Sequence, residues 1–445
     1  MSFLSALAAA VPDVVTDPQI LTGYRSDQMA LAEAGEPLAL VRARSVEDVS
    51  AVLRLATEHG VPVVTRGAGS GLAGGANAID GCVVLSVAAM DEIVAIDADA
   101  RTATVQCGVL GGTLAEALAA RGLWYPPDPA SKAFSTIGGN IATNAGGGCC
   151  LKYGVTGDHV AALTAVLPSG EVIRTGGRQR KNVAGLDLTR LLVGSEGTLA
   201  VIVEAVLRLR PAPRPPATLV AFFTTVQDAA EAVGAIQACG DPSLLELMDR
   251  TTIGAVERAT RMGLDTDAGA LLIVQTDEPD PDAALARYSD ACAKATELAS
   301  TTDPSEGEQF LVARRQALPA LERLGPTLLD DVAVPRAALA PMIAAIEEIA
   351  ARHGVTIGTF GHAGDGNLHP TIVFTPTTEP AARAAFEDIV RTALSLGGTI
   401  TGEHGVGTLK TPYLTEMLGQ TERSLMHRIK TAFDPTHTLN PGKAL

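Results

Sequence analysis

Two hydrophobic rhythms alternate along this chain, one repeating about every 3.6 residues and the other every second residue. Val46, Val49, Val52, Leu53 and Ala56 share one helical face, with Ser45 placed to cap the helix and Gly60 to end it. Val61–Val64 then reads as a short strand, as do Val83–Leu85 and Thr104–Gln106. Thr113–Arg121 predicts a short helix that Thr113 caps and Gly122 stops. Strand patterns follow at 160–167 and 171–174, joined by a turn at Pro168-Ser169-Gly170, and again at 199–209. Such switching indicates a mixed fold of helices and sheets.

Pro211-Ala-Pro-Arg-Pro-Pro-Ala217 breaks this first series. Its prolines lack backbone donors and stiffen the chain, which marks a domain boundary. Beyond it, strand signals at Thr218–Phe223, Leu271–Val274, Val355–Ile357 and Ile372–Phe374 alternate with alanine-rich helical stretches. Strand, helix, strand, then a second such set, predicts a ferredoxin-like layer of helices on an antiparallel sheet. From residue 401 the chain returns to glycine, a helix and a closing Leu439-Asn-Pro-Gly-Lys443. The expected class is α+β, divided as 1–212, 213–400 and 401–445.

Composition narrows the function. At 445 residues and 47% apolar side chains, there is ample material for real cores, and with 3% aromatics small residues must do much of the packing. Fifty acidic residues against 34 basic ones give a net charge of -16, which argues against non-specific binding to nucleic acid. No apolar run reaches the length of about eighteen residues that a spanning helix needs. Met1–Ala10 is apolar but lacks a basic start, so it does not read as a signal peptide. The six cysteines form no C-x-x-C and no iron-sulfur spacing, which suits a reducing cytoplasm, with peripheral membrane attachment left open.

Three glycine-rich clusters precede the boundary. Thr65–Gly75 places five glycines just after a strand, where backbone N–H groups can converge on phosphate or simply make a tight turn. It is neither a G-x-G-x-x-G opening a long helix nor a G-x-x-x-x-G-K-[ST] loop. Thr136–Gly148 brings Asn140 and Asn144 between glycines, and Leu192–Leu199 supplies Ser195, Glu196 and Thr198. Three such loops in one domain suit a large polar cofactor with a diphosphate.

Two histidines, His362 and His369, lie within a second glycine-rich stretch between strand signals. They could hold a metal, hydrogen-bond a substrate or merely close a turn, and Asp365-Gly366 is itself a turn pair. Glu403-His404 between glycines offers a further carboxylate and imidazole. Arg314 and Arg315 open a helical segment; neighbours on a helix cannot share a face, so one points inward and the other to solvent.

Six motifs in order carry a family resemblance. R-G-A-G-S-G at 66–71, P-D-P at 127–129, T-I-G-G-N-I-A-T-N-A-G-G at 136–147, G-S-E-G-T-L at 194–199, G-H-A-G-D-G-N-L-H at 361–369 and G-E-H-G-V-G at 402–407 together resemble the FAD-linked 2-hydroxy acid dehydrogenases. Members include D-lactate and D-2-hydroxyglutarate dehydrogenases and the flavin subunit of glycolate oxidase. The resemblance runs nearly end to end. It implies a vanillyl-alcohol-oxidase-type (PCMH-type) FAD-binding domain, then a substrate cap, then a short helical segment returning to the flavin.

By that resemblance Arg66, Gly67, Ala68, Gly69, Ser70 and Gly71 hold the diphosphate. Pro127, Asp128, Gly138, Gly139, Asn144 and Gly147 line the ribityl and flavin region, with Glu196 near the adenosine part. No histidine lies between Arg66 and Gly75, so the FAD is expected to be non-covalent. His362, His369 and Glu403 match metal ligands, zinc first; His404 matches the general base, or alternatively a group orienting Glu403; Arg314 matches the substrate-carboxylate residue. Leu318 and Leu329 stand where dicarboxylate enzymes carry threonine and lysine, and Thr371 where many carry asparagine. The expected substrate is therefore D-lactate or a similar monocarboxylate, glycolate included, oxidised by hydride transfer to flavin N5. D-2-hydroxyglutarate, or a role as the flavin subunit of a multi-subunit glycolate oxidase, is the alternative. Electrons are expected to pass to an external quinone, cytochrome or electron-transfer flavoprotein, and a homodimer is allowed for.

Overall fold

The computed structural model describes residues 2–29 and 31–445, and its contacts divide the chain into two units. The first holds the residues up to Gly146, Gly154–Ala212 and Glu403–Leu445; the second holds Pro213–Gly402 and the excursion Gly147–Tyr153.

Two sheets build the first unit. One runs in the order Val14–Val15, Ala39–Arg42, Val83–Ser86, Val63–Arg66. Its last three strands are parallel, so a crossover must join Ala39–Arg42 to Val63–Arg66. The helix Val46–His59 is that crossover. Its predicted face is the buried one, with Val49, Val52, Leu53 and Ala56 all sequestered. Ser45 and Asp48 cap it reciprocally, and Gly60 ends it at φ 67°. The other sheet is antiparallel: Ile93–Asp97, Thr102–Gln106, Val201–Arg208, Val160–Val166, Val172–Gly176. Val166, Val201 and Val203 from it share one core with Val52, Leu53, Val83 and Leu85. Each such side chain contributes about 1.5–3 kcal/mol by leaving water.

One helix start departs from expectation. The helix spans Gly111–Ala119 and begins without a side-chain cap, so Thr113 is not its cap. The backbone explains why: Gly111 donates to the Ser135 carbonyl (3.2 Å) and Gly112 to that of Lys132 (2.7 Å). With its first donors satisfied, the helix needs no hydroxyl.

The C-terminal tail is stitched into the first unit by two buried lysines. Lys430, on the helix Gln420–Phe433, donates to the carbonyls of Thr198 (2.7 Å) and Leu439 (2.8 Å) and to Asp434 (2.5 Å). Lys443 donates to the carbonyls of Gly75 and Asn77, and burial lowers its pKa to about 8. Leu439 also bridges Val63 at the parallel sheet.

The second unit is one antiparallel sheet in the order Glu297–Thr301, Ala217–Phe223, Ala270–Thr276, Leu244–Asp249, Thr356–His362, Asn367–Val373, Thr327–Leu329, with Val332–Ala333 also paired to Asn367–Val373. Helices Pro281–Ala291, Val226–Cys239, Leu339–His353 and Glu379–Ser395 pack in a row, neighbour on neighbour, as the strand-helix pattern predicted. The strands read at 355–357 and 372–374 extend further than their apolar signal, inward through both histidines.

Asp434→Ala tests the tail clasp. It removes the carboxylate beside buried Lys430 and the acceptor for the Thr438 and Leu439 amides. Breaking a buried pair from one side costs about 3–5 kcal/mol, so urea unfolding should report a loss of that size.

Candidate active site

The two histidines meet because of strand register. Thr356–His362 and Asn367–Val373 form an antiparallel hairpin in which His362 faces Asn367 and Phe360 faces His369. Residues two apart on a strand share a face, so His369 lies diagonally across from His362 on the same side of the sheet. Their rings stand edge to face at 5.3 Å between centroids, with ring nitrogens within 4.8 Å of one another. Asp365 is the turn-former expected: its N–H donates to the His362 carbonyl (3.2 Å), and Gly366 takes φ 80°. The same face carries Leu329, paired opposite Thr371, and both are buried.

Next to the hairpin runs Leu244–Asp249, whose register sets Met248 against Phe360 and Leu247 against Gly361. Two residues before Met248, on its face, stands Glu246, 2% exposed. It accepts from His362 Nδ1 and, at 2.5 Å, from Arg314 Nε. Burial alone would raise this carboxyl, but Arg314 and His362 outweigh it and hold the pKa at about 2. The Arg314 guanidinium also lies over the Phe360 ring at 4.7 Å. Among the described residues its two Nη groups have no protein acceptor. Arg314 and Arg315 sit at the end of the helix Pro304–Arg315, not at its start, where cations suit the helix dipole. As expected they diverge: Arg315 turns outward to Glu308.

Asp331, 1% exposed, serves the second histidine. One of its oxygens is 3.7 Å from His369 Nδ1, and the other accepts from Thr401 Oγ1 (2.7 Å) and the Gly402 N–H (2.9 Å). The chain then enters the first unit with Glu403 and His404. There Glu403 lies against Gly146, where an added Cβ would come within 2.5 Å of its carboxylate. Glu196 grips the following turn, accepting from the N–H groups of Val406 (2.7 Å) and Gly407 (2.8 Å). Both Glu196 oxygens are thus spent on backbone, and burial raises its pKa. Glu196 thus clasps the segment that follows His404.

The first glycine cluster has the properties of an anion cradle. Among the described residues, no N–H from Gly67 to Leu72 is taken by a protein acceptor. The loop is pinned from outside: Asp27 accepts from Gly74 N–H (2.8 Å), and Gly71 C=O accepts from Gln28 N–H (3.0 Å). Ala68 is exposed, and Ser70 is partly so. Arg66 folds back over Gly69, stacks on Tyr24 at 5.7 Å and donates to the Ser26 carbonyl (2.9 Å). Open amides and glycine backbones fit the diphosphate of FAD.

The other cofactor candidates are mostly structural in their visible contacts. Gly138 has its Cα against Cys107, leaving 2.6 Å for a Cβ, and Gly139 donates to Thr136 Oγ1 (3.2 Å). Asn144 ends the helix Ile137–Thr143 in the left-handed region and accepts from the Gly157 N–H (2.8 Å). Pro127 is buried and Asp128 partly buried. Gly147 belongs to the second unit, apart from the rest of its group.

Glu246 and Asp331 were not singled out from the sequence. A signal existed: a lone acid in Leu244-Leu-Glu-Leu-Met248, and a pair of acids after Leu328-Leu329. Charges in buried strands are rare unless paired.

Comparison with known proteins agrees with this architecture. The fold is that of p-cresol methylhydroxylase with substrate bound (TM-score 0.82, 18% identity, 99% of this chain and 96% of that one). Alkyldihydroxyacetonephosphate synthase is similar too (TM-score 0.76, 19% identity, 99% and 84%). The fold class is therefore α+β, shared with those two proteins. Residues 37–176 match the model of an FAD binding domain, and 212–444 that of the C-terminal domain of FAD linked oxidases. Glycolate oxidase subunit GlcD is 44% identical in Bacillus subtilis (92% of this chain, 88% of the relative) and 37% in Escherichia coli (99% and 90%). A D-lactate dehydrogenase of Archaeoglobus fulgidus is 36% identical over 95% of each chain. The chain belongs to the FAD-linked oxidase family, and it is an FAD-dependent oxidoreductase of the branch that oxidises 2-hydroxy acids.

Gly69→Ala should loosen the cofactor. Gly69 has φ 73°, and a Cβ there would fall 2.1 Å from the Arg66 guanidinium. The left-handed conformation costs a side chain about 1–2 kcal/mol, so flavin affinity, titrated by fluorescence on the apoprotein, should drop by about five- to thirtyfold.

Proposed function

We propose that this chain oxidises glycolate, or a 2-hydroxy monocarboxylate nearly as small, to the 2-oxo acid. The carrying observation is the half-used guanidinium of Arg314: its Nε is bound to Glu246, while its Nη groups have no acceptor among the described residues. That is the shape of a carboxylate grip. The sequence alone ranked D-lactate first. The two GlcD relatives, at 44% and 37% identity against 36% for the D-lactate enzyme, move glycolate ahead. Leu329, on the face of the histidines, supports a short substrate, since its apolar side chain offers no cation to a second carboxylate.

In this reading Arg314 orients the acid by its carboxylate. His404 accepts the hydroxyl proton as the C=O bond forms. FAD, held without a covalent bond by the 66–71 cradle, supplies the acceptor for the C–H hydrogen with its electron pair. By motif His362, His369 and Glu403 would hold a divalent ion, zinc first, which would make the hydroxyl more acidic. Asp331 orients the His369 imidazole toward that task. The electrons leave to an external carrier, a quinone, cytochrome or electron-transfer flavoprotein.

Two outcomes test this. Mixed anaerobically with glycolate, D- and L-lactate, D-malate and D-2-hydroxyglutarate, the flavin should bleach fastest with a monocarboxylate, glycolate leading. Reduction by D-2-hydroxyglutarate alone would show that Leu329 had been misread. His369→Ala should strip the divalent ion while leaving FAD in place, read by elemental analysis and flavin absorbance on one sample. Equal metal in both proteins removes the ligand set.

A further inference from the structure

We infer that Glu246 is a positioning residue that ties the substrate grip to the metal ligand, so that neither is set without the other. The inference rests on the reading of Arg314 and His362 just given and assigns a role to a residue outside it.

Three observations carry it. First, one carboxylate contacts both groups: Oε2 takes Arg314 Nε and Oε1 takes His362 Nδ1. Accepting at Nδ1 selects the tautomer whose Nε2 lone pair is available to a ligand. Occupying Nε leaves the forked Nη end of the arginine for a carboxylate, in one fixed plane.

Second, Glu246 is held rigidly. It sits mid-strand in Leu244–Asp249, paired to Ala270–Thr276 on one side and to the histidine hairpin on the other. Its side chain is 3% exposed, against 13% for each of its two partners. Third, backbone packs closely against the Glu246 carboxylate. Gly148, in the excursion that joins the second unit, lies so close that an added Cβ would be 2.9 Å from Leu244 Cδ1 and 3.2 Å from Glu246 Oε1. Excluding water there strengthens each charged contact.

A glutamine at this position keeps the shape but cannot accept from both partners, because its amide nitrogen only donates. Either the arginine must turn, or the histidine must turn or take the tautomer whose Nε2 carries the proton and cannot bind metal. The consequence is a paired defect: weaker metal binding and weaker substrate binding, with the flavin cradle of the first unit untouched.

The test uses full-length holoenzyme, wild type and Glu246→Gln, with Glu246→Asp as a second variant that keeps the charge. Zinc affinity is measured by competition with a chromogenic chelator, and KM and kcat for glycolate with an artificial electron acceptor. Flavin content and melting temperature are recorded alongside. The expected result for Glu246→Gln is zinc affinity lower by about 10–100-fold and KM raised tenfold or more, at unchanged flavin content. In an Arg314→Gln background the KM effect should vanish while the zinc effect persists. Glu246→Asp, which keeps two acceptor oxygens, should fall between wild type and Glu246→Gln in both zinc affinity and KM. Zinc affinity and KM both within twofold of wild type would overturn the role, as would a loss confined to melting temperature. Wild-type protein that binds no divalent ion, or whose flavin no 2-hydroxy acid bleaches, overturns the functional reading itself and the role with it.

Discussion

The register of one hairpin decides what the second unit can do. His362 is the last residue of one strand and His369 the third of the next, across a four-residue turn. Because side chains alternate faces along a strand, a slip of one residue would send His369 to the opposite side of the sheet. The turn residues Asp365 and Gly366 prevent that slip, and so does pairing of the hairpin on both edges, to Leu244–Asp249 and to Thr327–Leu329. Phe360, Glu246 and Leu329 share the histidine face for the same reason. The site is a consequence of β geometry.

Buried carboxylates do the fine positioning. A lone ionised carboxylate inside a protein costs several kcal/mol, so each must be matched by donors. Glu246 is matched by a guanidinium and an imidazole, Asp331 by a hydroxyl, a backbone N–H and a nearby imidazole, and Glu196 by two backbone N–H groups. Asp331 fixes the backbone at Gly402, and Glu196 fixes it at Val406 and Gly407. Glu196 therefore holds the turn that follows Glu403 and His404 within the first unit. Gly405 leaves Glu196, and Gly146 leaves Glu403, room that a Cβ would fill.

Much of the fold was legible because local signals agreed with tertiary demand. The helix Val46–His59 was readable to its capping box, since its apolar spacing, Ser45 and Gly60 all pointed one way. The start at Gly111 was misread because backbone from 132–135 supplies what a hydroxyl would, and distant carbonyls leave no local trace. Arg314 was found but placed at the wrong end of its helix, because the signal at Asp303-Pro304 was passed over. The residues of the site were named by motif; what held them was not. Glu246 lies 116 residues from the histidine it touches and 68 from its arginine, a pairing that only the sheet order creates.

Anomalous diffraction on zinc-loaded crystals, collected on both sides of the zinc absorption edge, tests the central claim most directly. The account predicts one peak per chain at about 2.0–2.1 Å from a ring nitrogen of each of His362 and His369, with Glu246 still bound to His362 Nδ1. Edge-dependent density elsewhere, with both imidazoles unliganded, would contradict it.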